Sequence, residues 1–255
     1  MHFRQGHFRQ GHFRCGHFRW GLLGAVVLAV LGRPAVAETR VDLALILAVD
    51  VSLSMDEDEE KLQRHGYARA LADPRVIDAI RSGPNHQIAI AYLEWSSPTD
   101  HRIIVGWHLV SDDASAKAFS DELLRAPIKS GTTTSISSGI DFAVGMFEGQ
   151  PFTPARRVID VSGDGYSDYG RPVQEARNDA VTAHITINGL PVMNERPAWR
   201  EKAPADLDQY YAKNVIGGPG SFFLVVKDLH DFDDAVLRKL ILEIADRREK
   251  PAAPG

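Results

Sequence analysis

Short apolar runs alternate with amphipathic stretches through most of this sequence. The run at residues 43–49 is uninterrupted, which indicates a strand that is buried on both faces of a sheet. Residues 232–244 instead place apolar side chains every three or four positions, as an amphipathic helix does. The alternation predicts an α/β fold, with a doubly wound, mostly parallel central sheet and helices on both of its faces.

The same patterns predict the other elements of the fold. Strands are expected at residues 43–49, 87–95, 102–107, 158–162, 185–190 and 222–226. Helices are expected from the acids at 56–60 as far as Leu71, and at 115–124, 134–147 and 232–244. A polar turn at residues 96–100 can join the second and third strands as a hairpin, and Asp73-Pro74 ends or bends the first helix.

Residues 1–37 have the features of a signal peptide. Four tandem His-Phe-Arg-x-Gly repeats precede an apolar run at residues 22–31, and Ala35-Val36-Ala37 supplies the small-x-small pattern that signal peptidases recognise. The apolar run is shorter than the roughly 20 residues of a membrane-spanning helix. We therefore predict cleavage near Ala37 and a mature bacterial protein that is periplasmic or secreted. A retained signal anchor is the alternative.

The net charge and the cysteine content limit the partners and the kinds of site that the mature chain can have. The formal net charge is −5, but residues 1–37 contain five arginines and no acid, so the remainder carries −10. An acidic body of this kind repels nucleic acid and suits metal ions or basic ligands. The only cysteine, Cys15, lies in the predicted signal peptide. The mature chain therefore has no disulfide, thiolate metal site or cysteine nucleophile.

The mature chain is predicted to be one domain over residues 38–250, followed by a disordered tail at 251–255. Residues 191–220 are rich in proline, glycine and charge, and we expect them to form an excursion between the last two strands. Within the excursion, the glycine-rich stretch at 217–220 is not followed by the Lys-Ser/Thr of a phosphate-binding loop. This stretch is therefore predicted to be a turn.

Three segments offer oxygen ligands where a strand ends or a helix begins. Asp50, Ser52 and Ser54 alternate directly after the first buried strand, where open α/β sheets place their ligand-binding loops. A loop rich in glycine and threonine leads through Thr134 into a helix, and Asp164 lies in a turn after another strand. Carboxylate and hydroxyl oxygens suit a hard cation such as Mg²⁺ or Mn²⁺ rather than zinc.

These oxygen side chains resemble the metal-ion-dependent adhesion site (MIDAS) of the von Willebrand factor A (vWA) family. The order of strands and helices follows that family, and residues 158–165 and 214–220 look like an uncharacterised family of secreted bacterial proteins with this fold. The resemblance implies a Rossmann-like vWA domain that binds one Mg²⁺, Mn²⁺ or Ca²⁺ ion. It implies that the hydroxyls of Ser52, Ser54 and Thr134 contact the metal, and that Asp50 and Asp164 bind it directly or through water.

Three further points bear on this assignment. Thr132, Thr133 and Thr134 are consecutive, and Thr134 is preferred because Ile140 then fits the family's spacing from threonine to helix. Leu53 stands where many members of the family have glycine. Asp160 precedes Asp164 by four residues inside a predicted strand, and it either tunes the metal site or is a hydrogen-bonded structural carboxylate.

The resemblance favours a non-enzymatic binding protein. Three neutral hydroxyls and two carboxylates leave one coordination position open, which an acidic side chain of a protein or peptide partner can fill. One alternative is a metal-dependent hydrolase or phosphatase that uses Asp50 and Asp164, and another is an interaction domain with a vestigial metal site. A haloacid dehalogenase-type phosphatase needs a second aspartate two residues after the first, where this sequence has Ser52, and no Gly-x-Ser-x-Gly elbow is present.

Overall fold

A five-stranded sheet forms the centre of the described part of the chain. The structure is a computed structural model, and it describes residues 39–53, 57–193, 203–228 and 231–245. The strands of this sheet are β2 (Ala44–Asp50), β3 (Ile88–Trp95), β4 (His101–Val110), β6 (Arg157–Gly163) and β7 (Thr186–Pro191). A separate parallel pair is formed by β1 (Thr39–Val41) and β5 (Phe152–Pro154). The predicted signal peptide, the predicted tail and Ser54 lie outside the described residues.

The order of the strands across the central sheet is β4-β3-β2-β6-β7. Strand β2 pairs in parallel with β3 and β6, and β6 pairs in parallel with β7. Strand β4 is antiparallel to β3, and Ser96 and Asp100 close the turn between them with a backbone hydrogen bond of 3.1 Å. The sheet is therefore mostly parallel, and the predicted hairpin is confirmed.

Strand β2 is buried along its whole length because helices cover both faces of the sheet. Its odd-numbered residues at 45–49 join one hydrophobic core and its even-numbered residues at 44–48 join a second core. The first core is covered by α1 (Glu57–Leu71), α2 (Pro74–Arg81), α3 (Asp113–Arg125) and α7 (Phe232–Ala245). The second is covered by α4 (Ile136–Met146), α5 (Val173–Thr182), α6 (Leu207–Tyr210) and a π-helical turn (Tyr211–Val215). This arrangement confirms the doubly wound α/β fold.

The prediction of a strand at residues 222–226 is wrong. The segment forms only isolated bridges, one between Phe223 and Gly189 of β7 and one between Val226 and Val192 just after β7. One of its amides, that of Phe222, is bound by the side chain of Asn188 at 3.0 Å instead of by a backbone carbonyl. A side chain has thus replaced part of the backbone pairing on which a regular strand depends.

The sequence pattern does not predict three of the α-helices, namely α2, α5 and the short α6. Asp73 lies before α2 and accepts a hydrogen bond from the Arg75 amide at 2.9 Å, and Pro74 occupies the first helical position. Both features are typical of a helix start. The Asp73-Pro74 pair therefore ends α1 as predicted, and it also begins the next helix.

A buried cluster of charged side chains joins α7 to β6. Lys239 Nζ lies 2.6 Å from Asp160 Oδ1 and 2.5 Å from Glu243 Oε1, and Asn188 donates to the same Glu243 oxygen at 3.1 Å. Burial and the charge of Asp160 raise the pKa of Glu243 to about 7. Burial also raises the pKa of Asp160, although Lys239 opposes this effect. Of the two sequence-based interpretations of Asp160, the contacts support the structural carboxylate.

Candidate metal site

The loop after β2 begins with a buried aspartate that shapes its own backbone. Asp50 is 1% exposed, and its Oδ1 accepts a hydrogen bond from the Ser52 amide at 2.8 Å. Strand β2 ends at Asp50, and the Val51 amide still donates to the Trp95 carbonyl of β3 at 3.0 Å. The start of the loop is therefore attached to the end of β3. Ser52 is also buried. Asp50 and Ser52 are thus held at the carboxyl end of β2, whereas the position of Ser54 is not described.

Leu53 does not need the backbone conformation that favours glycine. Among the described residues other than glycine, only His86 and His184 have a positive φ angle. Leu53 is 69% exposed, so its side chain projects away from the core. The difference from the glycine of many family members therefore causes no backbone strain at this position.

The threonine-rich loop packs against the ends of β2 and β3. The Gly131 amide donates to the Val51 carbonyl at 2.6 Å, and the Ser135 amide donates to the Ser96 carbonyl at 2.8 Å. A Cβ atom on Gly131 would lie 2.1 Å from the Cβ of Ser96, so the approach requires glycine. Thr134, near the end of this loop, is 7% exposed. These contacts bring the loop of Thr134 to the same edge of the sheet as Asp50.

The loop after β6 completes the arrangement. The amides of Asp168 and Tyr169 donate to the Thr134 carbonyl at 2.9 and 3.3 Å. A Cβ atom on Gly165 would lie 3.9 Å from Thr134 Oγ1, which places that hydroxyl beside the turn that contains Asp164. Asp164 is buried. The structure therefore brings Asp50, Ser52, Thr134 and Asp164 to one edge of the sheet.

A buried ion pair holds the segment that leads into the threonine-rich loop. Arg64 Nε donates to Glu94 Oε1 at 2.7 Å, while its Nη1 and Nη2 donate to the carbonyls of Ala126 and Pro127 at 2.6 and 3.1 Å. Arg102 also donates to the Lys129 carbonyl. Hydrogen bonds from a charged donor are stronger than those between neutral groups, so these contacts hold the backbone of the loop in place. The sequence analysis missed this support because α1, β3 and the loop are far apart in sequence.

The sequence analysis also missed the role of Tyr211, which comes from the excursion. This side chain is fully buried, and a Cβ atom on Gly163 would lie 2.9 Å from both Tyr211 Oη and Asp50 Oδ2. Burial raises the pKa of Tyr211 well above its usual value, and the negative charges of Asp50 and Asp164 raise it further. The phenol therefore lies close to two candidate ligands. The only sequence signal was the presence of Tyr210 and Tyr211 in the excursion.

These residues fit a hard divalent cation. The donor set combines buried carboxylates with hydroxyls, which are the oxygen ligands that Mg²⁺, Mn²⁺ and Ca²⁺ accept. The absence of a side chain at Gly163 lets this backbone approach Asp50 closely, since an added Cβ atom would come within 2.9 Å of Asp50 Oδ2. Across the described residues, no three carboxylate, imidazole or thiol side chains cluster as a metal site. The candidate donors at this edge therefore include hydroxyls as well as carboxylates.

Sequence comparison gives the family of the chain. The sequence profile of a family described as "Protein of unknown function (DUF1194)" matches residues 40–248. The chain belongs to this family. The match covers nearly all of the predicted mature domain, and it agrees with the expected uncharacterised family. A search of curated proteins finds no match.

Solved structures show the fold of this DUF1194 member. BatB from Bacteroides thetaiotaomicron is 20% identical, with a TM-score of 0.51 over 80% of this chain and 100% of that chain. A von Willebrand factor type A structure from Catenulispora acidiphila is 15% identical, with a TM-score of 0.53 over 81% of this chain and 42% of that one. Proximal thread matrix protein 1 from the mussel byssus, with a zinc-occupied MIDAS motif, is 13% identical. Its TM-score is 0.52 over 82% of this chain and 48% of that one.

The chain spans the whole of the BatB structure but less than half of each of the other two. At these identities the comparisons show the fold alone, and they confirm that it is vWA-like. Where the structure describes the chain, it contains no helix of the length and apolar character needed to cross a membrane.

Proposed function

We propose that this chain is an exported, non-enzymatic binding protein that engages a protein or peptide partner through a divalent cation. The cation, Mg²⁺ or one of its relatives Mn²⁺ and Ca²⁺, would be held by Asp50, Ser52, Ser54, Thr134 and Asp164. An acidic side chain of the partner would complete its coordination. The observation that carries the proposal is the convergence of three loops that brings Asp50, Thr134 and Asp164 together.

The charge of the site explains why the cation would be essential. Asp50 and Asp164 are both buried, and two nearby carboxylates without a cation repel an approaching acidic group. A divalent ion reverses the sign of this local field and offers a direct ligand bond. Binding of an acidic partner should therefore depend completely on the metal. The zinc-occupied MIDAS of the mussel protein supports a divalent ion as the occupant.

Calorimetric titration of the purified protein with Mg²⁺, Mn²⁺, Ca²⁺ and Zn²⁺ tests the metal site. We expect one ion per chain in the wild type and no measurable binding in Asp50→Ala, because this substitution removes a buried carboxylate of the site. Asp121→Ala is the matched control, since Asp121 is half-exposed and pairs with Lys117 on α3. Equal affinity in the wild type and Asp50→Ala would contradict the proposal.

Enzyme assays test the non-enzymatic part of the proposal. The purified protein should not hydrolyse phosphate monoesters or carboxylic esters in the presence of Mg²⁺ or Mn²⁺. Turnover that is lost in Asp50→Asn would instead assign the site to a metal-dependent hydrolase. Export can be tested separately by sequencing the N-terminus of the protein recovered from the periplasm or medium, which should begin near Glu38.

A further inference from the structure

The segment that follows β7 places one side chain next to the candidate metal site. Tyr211 begins the π-helical turn Tyr211–Val215, in which the Ile216 amide donates to the Tyr211 carbonyl at 3.0 Å. Turns of this kind are rare and occur often at functional sites. Leu207, Tyr211 and Val215 all belong to the second hydrophobic core. The position of Tyr211 is therefore fixed by packing on the sheet.

The hydroxyl of Tyr211 lacks a hydrogen-bond partner among the described residues although it is fully buried. Folding is penalised when such a hydroxyl loses its hydrogen bond to water without a replacement. The hydroxyl lies close to Gly163, where an added Cβ atom would come within 2.9 Å of both Tyr211 Oη and Asp50 Oδ2. The charged groups with the largest electrostatic effect on it are Asp50 and Asp164. The phenol is thus a buried hydroxyl next to the acidic side chains of the site.

Tyr92 shows that burial of a phenol alone does not create this arrangement. Its hydroxyl is also buried without a hydrogen-bond partner among the described residues. However, Tyr92 lies in the first core, on the other face of the sheet, and the acids that act on it are Glu94 and Glu60. Tyr211 differs because the acids beside it are two candidate metal ligands.

We propose that Tyr211 is a positioning residue of the metal site: in the metal-bound protein its hydroxyl, which has no partner among the described residues here, donates a hydrogen bond to Asp50 and holds that carboxylate in its metal-binding orientation. This inference rests on the proposed function, since it assigns an additional residue to the same site. Groups that hydrogen-bond to a metal ligand fix its orientation, and their loss typically weakens metal binding 10–100-fold. The excursion thereby contributes a residue to the site that the vWA resemblance did not include.

The test compares Mn²⁺ binding by the purified full chain and by Tyr211→Phe, which removes one oxygen and keeps the ring. We expect the Mn²⁺ dissociation constant to rise at least about tenfold, while the melting temperature without metal stays close to that of the wild type. Tyr92→Phe is the matched control and should bind Mn²⁺ as the wild type does. Unchanged Mn²⁺ affinity in Tyr211→Phe would overturn the inference, as would an equal loss in Tyr92→Phe.

A double-mutant cycle with Gly163→Ala keeps the test decisive if Tyr211→Phe changes stability. The alanine leaves Tyr211 intact, but its methyl group would come within 2.9 Å of both Tyr211 Oη and Asp50 Oδ2, so these oxygens must move. If both variants disrupt one interaction, their effects on Mn²⁺ affinity should be less than additive. Fully additive effects would contradict the inference. If the wild type itself binds no Mn²⁺, the proposed function fails. If the wild type binds Mn²⁺ and Tyr211→Phe binds it equally well, only the assignment of Tyr211 is wrong.

Discussion

Four candidate ligands could be located from the sequence because each lies at the end of a recognisable element. Asp50 and Ser52 follow a fully apolar strand, Thr134 precedes a helix, and Asp164 follows another strand. In a parallel sheet the ends of β2 and β6 lie at the same edge, which predicts that Asp50, Ser52 and Asp164 converge, whereas the choice of Thr134 came from the vWA resemblance. Tyr211 could not be predicted in this way. It reaches the site through the packing of a segment without a periodic pattern.

The choice of Thr134 over its neighbours can be tested within the same loop. Thr134 is buried beside the Asp164 turn, whereas Thr132 is exposed. Thr134→Ala should weaken Mn²⁺ binding at least about tenfold, because a ligand oxygen is removed. Thr132→Ala is the control and should leave the affinity unchanged. A larger loss in Thr132→Ala, measured by calorimetry, would move the ligand to that residue.

At the scale of elements, regular periodicity determined what the sequence could predict. The apolar run of β2 and the four-residue repeat of α7 were both recognised, since each buries a continuous stripe of side chains. Helix α5 was missed because two of its three buried residues are alanines, Ala176 and Ala180, which give a weak pattern. The segment at 222–226 was wrongly assigned because its apolar composition resembles a strand, whereas its pairing with β7 is irregular.

The attachment of α7 to β6 through buried charges predicts a pH dependence of stability. The pKa of Glu243 is raised from 4.5 to about 7, chiefly by burial. The folded state therefore binds a proton more tightly than the unfolded state, and the free energy of unfolding should fall as the pH rises from about 4.5 to about 7. The slope from this group is at most about 1.4 kcal/mol per pH unit. Asp160 contributes in the same direction because its pKa is also raised.

Glu243→Gln should flatten this pH dependence, because the side-chain amide of glutamine does not titrate between pH 4.5 and 8. Urea denaturation at several pH values between 4.5 and 8 measures the slope. Glu148→Gln is the matched control, since Glu148 is exposed just after α4, and it should retain the wild-type slope. An identical slope in Glu243→Gln and the wild type would show that the buried cluster does not control stability in this range.

At the scale of the whole molecule, the fold limits the choice of function without determining it. A doubly wound sheet with a vWA-like order of elements supports many activities, so the function has to be argued from the site. Here the site combines hydroxyls and buried carboxylates in a chain whose predicted mature part carries a net charge of −10. A bound cation is the feature that would let such an acidic protein engage an acidic partner.

The central claim is that five oxygen side chains hold one divalent cation at the carboxyl end of the sheet. Anomalous diffraction from crystals grown with Mn²⁺ tests it most directly, because the anomalous signal of the metal shows its position in the crystal. The account predicts one strong peak in contact with the oxygens of Ser52, Ser54 and Thr134, with Asp50 and Asp164 bound directly or through water. A peak elsewhere, or no peak among these residues at saturating Mn²⁺, would contradict it.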